Sequence, residues 1–223
     1  MTAKEILHAV IKLICGILLV GILIFLPAGT LEYFNGWLLM GVLFIPMCVA
    51  GILLMIRNPA LLKKRLNAKE QQKEQDLVVK ASGLMFIVGF VVAGLGHRFG
   101  WYTLPRPVVF IAAAVLLGAY LLYGEVLREN TFLSRTIEVQ ENQRVISSGL
   151  YGIVRHPMYS ATLLLFLAMP LVLGSVYAFA VFLAYPFVIA QRIRHEEAFL
   201  EKELVGYCAY QKKVKYRLIP LIW

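Results

Sequence analysis

The polar side chains that could do chemistry begin to cluster in the stretch GLYGIVRHPMYS, residues 149–160. An arginine, a histidine, a proline and two tyrosines stand here immediately before an apolar run. Pro157 favours the first turn of a helix, where its missing N–H costs nothing, and His156 falls at the cap. The free N–H groups and dipole of such a helix end favour an anion. The alternative is an interfacial anchor of aromatic residues, with Arg155 meeting lipid phosphate.

Further polar residues follow the next two apolar runs, 157–173 and 175–191. Each run is short, and only a glycine and a serine separate them, so we predict a helical hairpin. A hairpin returns the chain to the face where it began, so the segment RIRHEEAFL should lie beside His156. Arg192 and Glu196, at i and i+4, would then share one helix face, either as an ordinary ion pair or as part of a site.

The composition indicates which elements must position these residues. The chain has 223 residues, of which 60% are hydrophobic and 16% charged, against about 25% charged in soluble proteins. Its mean hydropathy is +0.75. Apolar stretches of near-spanning length lie at 8–26, 37–56, 82–99, 105–127, 157–173 and 175–191. We therefore predict an all-α integral membrane protein with about six transmembrane helices, five to six, the last two forming the hairpin.

The basic residues indicate the orientation of these helices. With the N-terminus inside, all but Arg98 and Arg106 of the 22 Lys and Arg fall in the inner segments. This bias predicts that both termini are cytoplasmic, with the basic segments contacting anionic membrane lipids. The net charge of +9 is therefore interpreted as membrane anchoring, and no nucleic acid partner is expected. The first apolar stretch resembles a signal peptide, but we interpret it as a membrane helix because it fits this topology.

No compositional break divides the chain, so we predict one structural domain with two parts. Residues 1–127 would hold the N-terminal transmembrane helices with a cytoplasmic loop, 57–80. Within this loop, residues 57–76 would form a helix along the membrane surface or, alternatively, a solvated linker. Residues 128–223 would hold the polar segment that leads into the hairpin, the hairpin and a cytoplasmic tail, and contain almost all the dense polar chemistry. The three cysteines form no C-x-x-C pair and the histidines are scattered, so neither a disulfide framework nor a metal site is expected.

The motifs of residues 128–223, taken in order, resemble those of the isoprenylcysteine carboxyl methyltransferase family, which is related to phospholipid N-methyltransferases. The pattern is G-x-Y-x-x-x-R-H-P-x-Y, a hairpin, R-x-x-x-E-E, and a tail with paired tyrosines. Its residues here are Gly149, Tyr151, Arg155, His156, Pro157, Tyr159, Arg192, Glu196, Glu197, Tyr207, Tyr210 and Pro220. The tail departs from the family, which has a glycine three residues before the first tyrosine, where this chain has Leu204 and places Gly206 next to the tyrosine.

The resemblance implies a methyl donor, S-adenosylmethionine, which leaves as S-adenosylhomocysteine. The residues implied to hold this donor are Gln140, Gln143, Arg144, Val145, Ile146, Tyr151, His156, Pro157, Met158, Tyr159 and Glu196. Arg192 would meet the substrate, and Arg192, Glu196 and Glu197 are the implied catalytic residues. Arg155 is assigned only to steadying this wall against lipid.

The resemblance therefore implies methyl transfer at the cytoplasmic surface of a membrane. In a bacterial source this would be the inner membrane. The acceptor would be lipophilic and enter from the bilayer, with the carboxylate of an isoprenylcysteine-like molecule held by Arg192. An alternative is N-methylation of a lipid amine, for which Glu197 or His195 would remove a proton. A second alternative is a non-enzymatic transport or assembly protein with the same fold, although the spanning runs contain few ionisable groups.

Overall fold

The computed structural model describes residues 3–66, 73–133 and 139–223, and helices dominate these ranges. The helices are α1 (Ala3–Ala28), α2 (Phe34–Arg57), α3 (Pro59–Leu66), α4 (Lys73–Arg98), α5 (Arg106–Glu129), α6 (Pro157–Val172), α7 (Val176–Phe182), α8 (Tyr185–Glu203) and α9 (Tyr207–Lys213). The predicted loop 57–80 corresponds to α3 and the start of α4, and its residues 67–72 lie outside the described ranges.

Within the described ranges, five segments are long and apolar enough to cross a membrane. They are α1, α2, Val78–Arg98 within α4, α5, and Val176–Glu203, which comprises α7 and α8. α6 is equally apolar but has only 16 residues, fewer than the roughly 20 that span a bilayer. The predicted all-α membrane fold with five to six spanning helices is therefore confirmed, and the cytoplasmic position of the termini stays a prediction.

The predicted hairpin is confirmed, and its turn is closed by local geometry. Gly174 has a φ of +72°, and a Cβ at this position would lie 2.6 Å from the Nδ2 of Asn35. Only glycine suits both the backbone conformation and the close approach. The Oγ of Ser175 then accepts a hydrogen bond from the N–H of Ala178 and caps α7. The start of α6 and the end of α8 consequently lie at the same end of the molecule.

Close helix contacts hold this hairpin against the N-terminal helices. α6 packs along α5, α4 contacts both α7 and α8, and α1 packs on α4. The α1 and α4 backbones approach closely at Gly94, where a Cβ would lie 2.5 Å from the carbonyl oxygen of Ile24. Gly89 likewise leaves space for the fully buried ring of Phe182. Small residues at helix contacts allow this dense packing, which stabilises helices in lipid.

The chain beyond α9 folds back onto the start of α6. The N–H of Arg155 donates to the carbonyl of Tyr216, and the N–H of His156 donates to the carbonyl of Arg217, both at 2.9 Å. These bonds satisfy N–H groups immediately before the helix, which would otherwise lack partners. The tail thus becomes part of the wall on which the polar motif lies, a contact that the motif pattern did not predict.

Candidate functional site

A buried carboxylate organises the end of the hairpin where α6 begins and α8 leaves the core. Glu197 is only 3% exposed. Its Oε1 accepts hydrogen bonds from Arg155 Nε at 2.7 Å and faces His156 Nε2 at 3.1 Å. Its Oε2 accepts from Arg217 Nε at 2.8 Å. One carboxylate therefore joins the R-H-P motif, the E-E motif and the C-terminal tail.

The structure corrects the interpretation of Arg155 as a lipid anchor. The side chain is buried, with 9% of its surface exposed, and it forms an ion pair with Glu197. A second nitrogen of the same guanidinium, Nη1, donates to the carbonyls of Val214 and Lys215 at 2.8 and 3.0 Å. A guanidinium with three internal acceptors is a structural cross-link between α6, α8 and the tail, and the pattern alone did not predict its burial.

A second chain of contacts lies beside the first. The hydroxyl of Tyr159 donates to Oε2 of Glu196 at 2.6 Å and accepts from Nε of Arg192 at 2.8 Å. The residues predicted to share a face of α8 do so, and the phenol of α6 connects them. Because Tyr159 and Arg192 are both buried, this arrangement fixes the position of the guanidinium relative to the carboxylate.

The turn before α6 is shaped by Gly149, whose φ is +50°. A Cβ on this glycine would collide with the carboxylate of Glu129, which accepts the N–H of Leu150 at 3.0 Å through Oε2. Asn130, the residue that follows α5, donates from Nδ2 to the hydroxyl of Tyr151 at 3.0 Å. The G-x-Y part of the motif is therefore a tight turn that is fastened to the end of α5.

These walls enclose a cavity that is partly open to the outside. Its lining residues are Asn130, Phe132, Leu133, Gln143, Arg144, Val145, Ile146, Tyr151, Arg155, His156, Met158, Tyr159, Arg192, Glu196, Leu200, Leu204, Tyr207 and Tyr210. The wall contains guanidinium groups and a carboxylate together with aliphatic and aromatic side chains. A pocket with a few convergent polar groups on an apolar wall is typical of a small-molecule site.

Most of the residues that the resemblance implied lie on this wall. They are Gln143, Arg144, Val145, Ile146, Tyr151, His156, Met158, Tyr159, Arg192 and Glu196. The other three do not line the cavity: Gln140, Pro157 and Glu197. Gln140 donates from Nε2 to the carbonyl of Phe132 at 2.7 Å and fixes the loop, while Pro157 begins α6. Their placement is now known, and their roles stay predictions.

The sequence reasoning gave no site role to several residues of the wall. They are Asn130, Phe132, Leu133, Arg155, Leu200, Leu204, Tyr207 and Tyr210. Helical spacing could have found one of them, because Leu200 follows Arg192 and Glu196 at intervals of four on α8. The tail residues on the wall could be found only from the three-dimensional structure. Gly206 adopts a φ of +89° and starts α9 in the direction that brings its tyrosines to the cavity.

Three tyrosines of this wall that lie outside the spanning segments keep their hydroxyls in neutral form. Burial raises the pKa of Tyr151, of Tyr207 and of Tyr210 above the ordinary value of the phenol. The hydroxyl of Tyr210 donates to the carbonyl of Tyr151 at 2.6 Å, and that of Tyr151 accepts from Asn130. The buried hydroxyl of Tyr207 has no hydrogen-bond partner among the described residues.

The part of the chain that matches a known protein family contains most of the cavity wall. Residues 109–202 match the model of the isoprenylcysteine carboxyl methyltransferase (ICMT) family. All but three of the residues that line the cavity fall in this range; the three are Leu204, Tyr207 and Tyr210. The matched region thus includes most of α5, the segment between α5 and α6, and the hairpin almost to the end of α8.

A curated relative is named as a sterol reductase. The chain is 27% identical over 171 residues to a Delta(14)-sterol reductase of Mus musculus, an alignment that covers 66% of this chain. This chain spans only 41% of the length of that relative. The resemblance predicted from the motifs is confirmed by the family match, since residues 109–202 of this chain are similar to the isoprenylcysteine carboxyl methyltransferase family.

Proposed function

We propose that this protein is an S-adenosylmethionine-dependent methyltransferase that methylates the carboxylate of an isoprenylcysteine-like lipid at the membrane surface. The observation that supports it most is the convergence of the family-matching region on one cavity with both charged and apolar walls. A lipid with a carboxylate end needs both kinds of wall. The donor and the acceptor could then meet at the end of the hairpin, where the spanning helices leave the apolar layer.

The side chains of the wall fit the donor that the family implies. Its ammonium and sulfonium charges suit the carboxylate of Glu196 and the faces of Tyr151 and Tyr159. Its own carboxylate suits a guanidinium, and its adenine suits the apolar side chains near Met158. When bound, the donor supplies an electrophilic methyl group, which a carboxylate can accept without first losing a proton. The protein therefore needs to align the partners and exclude water more than to provide a strong base.

Arg192 is the residue that we assign to the acceptor. Its Nε is engaged by Tyr159, so the guanidinium is held in a fixed direction at the cavity wall. A guanidinium can bind both oxygens of a carboxylate and so orient one lone pair toward the methyl group. Glu196, tied to the same phenol, would keep the charges of donor and acceptor apart.

The structure favours a positioning role for Glu197 over the role of a base. Both of its oxygens already accept from cations, and it does not line the cavity. His195, the other candidate base for an amine acceptor, also does not line the cavity. An amine acceptor would therefore lack a nearby base of either predicted kind. This comparison favours a carboxylate acceptor over a lipid amine.

The apolar residues of the cavity wall give a place for the hydrocarbon part of the acceptor. Leu133, Leu200 and Leu204 are among them, and Leu200 lies on α8 within the apolar segment Val176–Glu203. We propose that the acceptor enters laterally from the bilayer along these residues, with the site facing the cytoplasm as the distribution of basic residues predicts.

The test is a methyl-transfer assay on the purified protein in lipid nanodiscs. Isotope-labelled S-adenosylmethionine would be incubated with N-acetyl-S-farnesylcysteine or with phosphatidylethanolamine, and the products identified by mass. We expect a base-labile methyl ester on the farnesylcysteine and no methylated amine. Methylated phosphatidylethanolamine alone would replace this proposal by N-methylation. Donor binding without transfer to any acceptor in a total lipid extract would favour a non-enzymatic role.

A variant of Arg192 tests its assigned role. Arg192→Lys keeps the positive charge but loses the planar guanidinium that can bind both oxygens of a carboxylate. We expect the affinity for the donor to change less than threefold. The rate of transfer should fall about a hundredfold, which corresponds to the loss of one or two charged hydrogen bonds. Calorimetry with S-adenosylhomocysteine and the initial rate of transfer measure the two effects. Equal losses in both would place Arg192 in the donor site instead.

A second candidate function is reduction of a lipid, which the sterol reductase relative favours. Reduction needs a hydride source, so a reductase would bind a reduced nicotinamide dinucleotide in place of a methyl donor. Thermal-shift measurements with each ligand separate the two proposals. Stabilisation by the dinucleotide and not by S-adenosylhomocysteine would favour the reductase.

A further inference from the structure

The hydroxyl of Tyr207 is the buried polar group at the cavity that the fold does not use. Tyr207 is 4% exposed and lines the cavity at the start of α9. Its hydroxyl has no hydrogen-bond partner among the described residues. The great majority of buried polar groups in proteins form hydrogen bonds, and leaving one unpaired costs about 1–3 kcal/mol. A cavity residue with such a group is a place where a ligand would supply the missing partner.

The groups around this hydroxyl are already paired with one another. Glu197 accepts from Arg155 through one oxygen and from Arg217 through the other. The neighbouring phenol of Tyr210 donates to the carbonyl of Tyr151. The ring centroids of Tyr207 and Tyr210 are 5.8 Å apart. Of these two hydroxyls, that of Tyr210 forms a hydrogen bond within the described residues and that of Tyr207 does not. The difference in hydrogen bonding separates a structural tyrosine from an available one.

The chemistry of the hydroxyl restricts what it could bind. Burial, and then the charges of Glu197 and Glu196, raise the pKa of Tyr207 well above the ordinary value. The phenol therefore keeps its proton and can donate a hydrogen bond, but cannot act as a phenolate base. An anionic or carbonyl oxygen is the partner that gains most from such a donor.

Resting on the proposed function, we propose that Tyr207 is a ligand-anchoring residue whose hydroxyl donates to a carboxylate bound in the cavity. Two carboxylates are available in the proposed reaction, that of the amino-acid part of the donor and that of the acceptor. In either case Tyr207 contacts a reactant from the tail and makes the tail a part of the site. The resemblance gave the paired tyrosines of the tail no role.

Tyr207→Phe removes only this hydroxyl, and Tyr216→Phe, on the same tail but not on the cavity wall, is the matched control. Three quantities would be measured on the full-length protein in nanodiscs: the Kd of S-adenosylhomocysteine, the KM of N-acetyl-S-farnesylcysteine and the Tm without ligand. We expect Tyr207→Phe to leave the Tm unchanged or to raise it, because it removes an unpaired buried hydroxyl. We expect it to raise either the Kd or the KM about tenfold, as for loss of a hydrogen bond to a charged group. Tyr216→Phe should change neither.

Each outcome decides the proposal. A raised Kd supports the donor carboxylate as the partner, and a raised KM with unchanged Kd supports the acceptor carboxylate. Unchanged Kd and KM beside an active wild-type protein would overturn the role of Tyr207 alone. A Tm lowered in Tyr207→Phe but not in Tyr216→Phe would show a structural hydroxyl and also overturn it. A wild-type protein that neither binds nor transfers would overturn the proposed function itself.

Discussion

The two ends of the α6–α8 hairpin use polar groups in different ways. At the hairpin tip, residues 173–176, the carbonyl of Leu173 accepts from the hydroxyl of Tyr33 at 2.6 Å and from Nδ2 of Asn35 at 3.3 Å. At the hairpin base, residues 155–160 and 192–197, charged side chains contact one another and border a cavity. The tip contains neutral contacts to the backbone, whereas the base contains buried charges.

This difference distinguishes closing a fold from building a site. Neutral side chains are sufficient to satisfy the carbonyls of a turn, and a buried charge costs more free energy than a neutral group. The buried charged side chains among the described residues, Arg155, Arg192 and Glu197, together with His156, all lie at the base. We infer that the unfavourable free energy of burying these charges is tolerated because they shape a binding cavity.

The largest effect is expected where the charges of the base depend on one acceptor. Glu197→Gln would replace the carboxylate that pairs with Arg155 and Arg217 by an amide that turns a donor toward one of them. Breaking a buried ion pair in this way costs about 3–5 kcal/mol. We expect a large fall in Tm and complete loss of donor binding. Glu203→Gln, on the same helix but exposed, is the control and should behave as wild type.

A smaller loss is expected from the turn that leads into the base. Gly149→Ala would place a methyl group at a positive φ and against the carboxylate of Glu129, at a cost of about 1–3 kcal/mol. The control is Gly124→Ala, in α5, where a Cβ meets nothing within 4 Å. The Tm should fall for the first variant and hold or rise slightly for the second. Equal Tm values for both would mean that the turn is not fastened as described.

The smallest effect is expected at the tip. Tyr33→Phe removes one of the donors to the carbonyl of Leu173, while Asn35 remains. The loss of one neutral hydrogen bond should cost about 1 kcal/mol. The Tm should fall modestly, and the Kd of S-adenosylhomocysteine should stay at the wild-type value. A weaker Kd at unchanged Tm would contradict the division between a structural tip and a functional base.

The sequence predicted the helices better than it predicted the contacts between them. Hydropathy located the apolar runs because the bilayer requires apolar residues of a given length, and Gly174 between two short runs was enough for the hairpin. The shared face of Arg192 and Glu196 followed from helical periodicity. These are local properties, so they can be derived without knowing the fold.

Contacts between distant segments could not be derived in this way. The burial of Arg155 depends on Glu197 and on carbonyls of the tail, 42 to 60 positions away along the chain. The pattern showed a charged residue next to an apolar run, which is also typical of a lipid anchor. The place of Tyr207 on the cavity wall likewise depends on the left-handed turn at Gly206.

The central claim is that the cavity at the hairpin base binds the methyl donor or its product, and calorimetric titration of the wild-type protein with S-adenosylhomocysteine tests it most directly. The protein would be used in lipid nanodiscs, with the ligand-induced change in Tm as a second readout. We predict saturable binding with one ligand per chain and a higher Tm. No heat of binding together with an unchanged Tm would contradict the account.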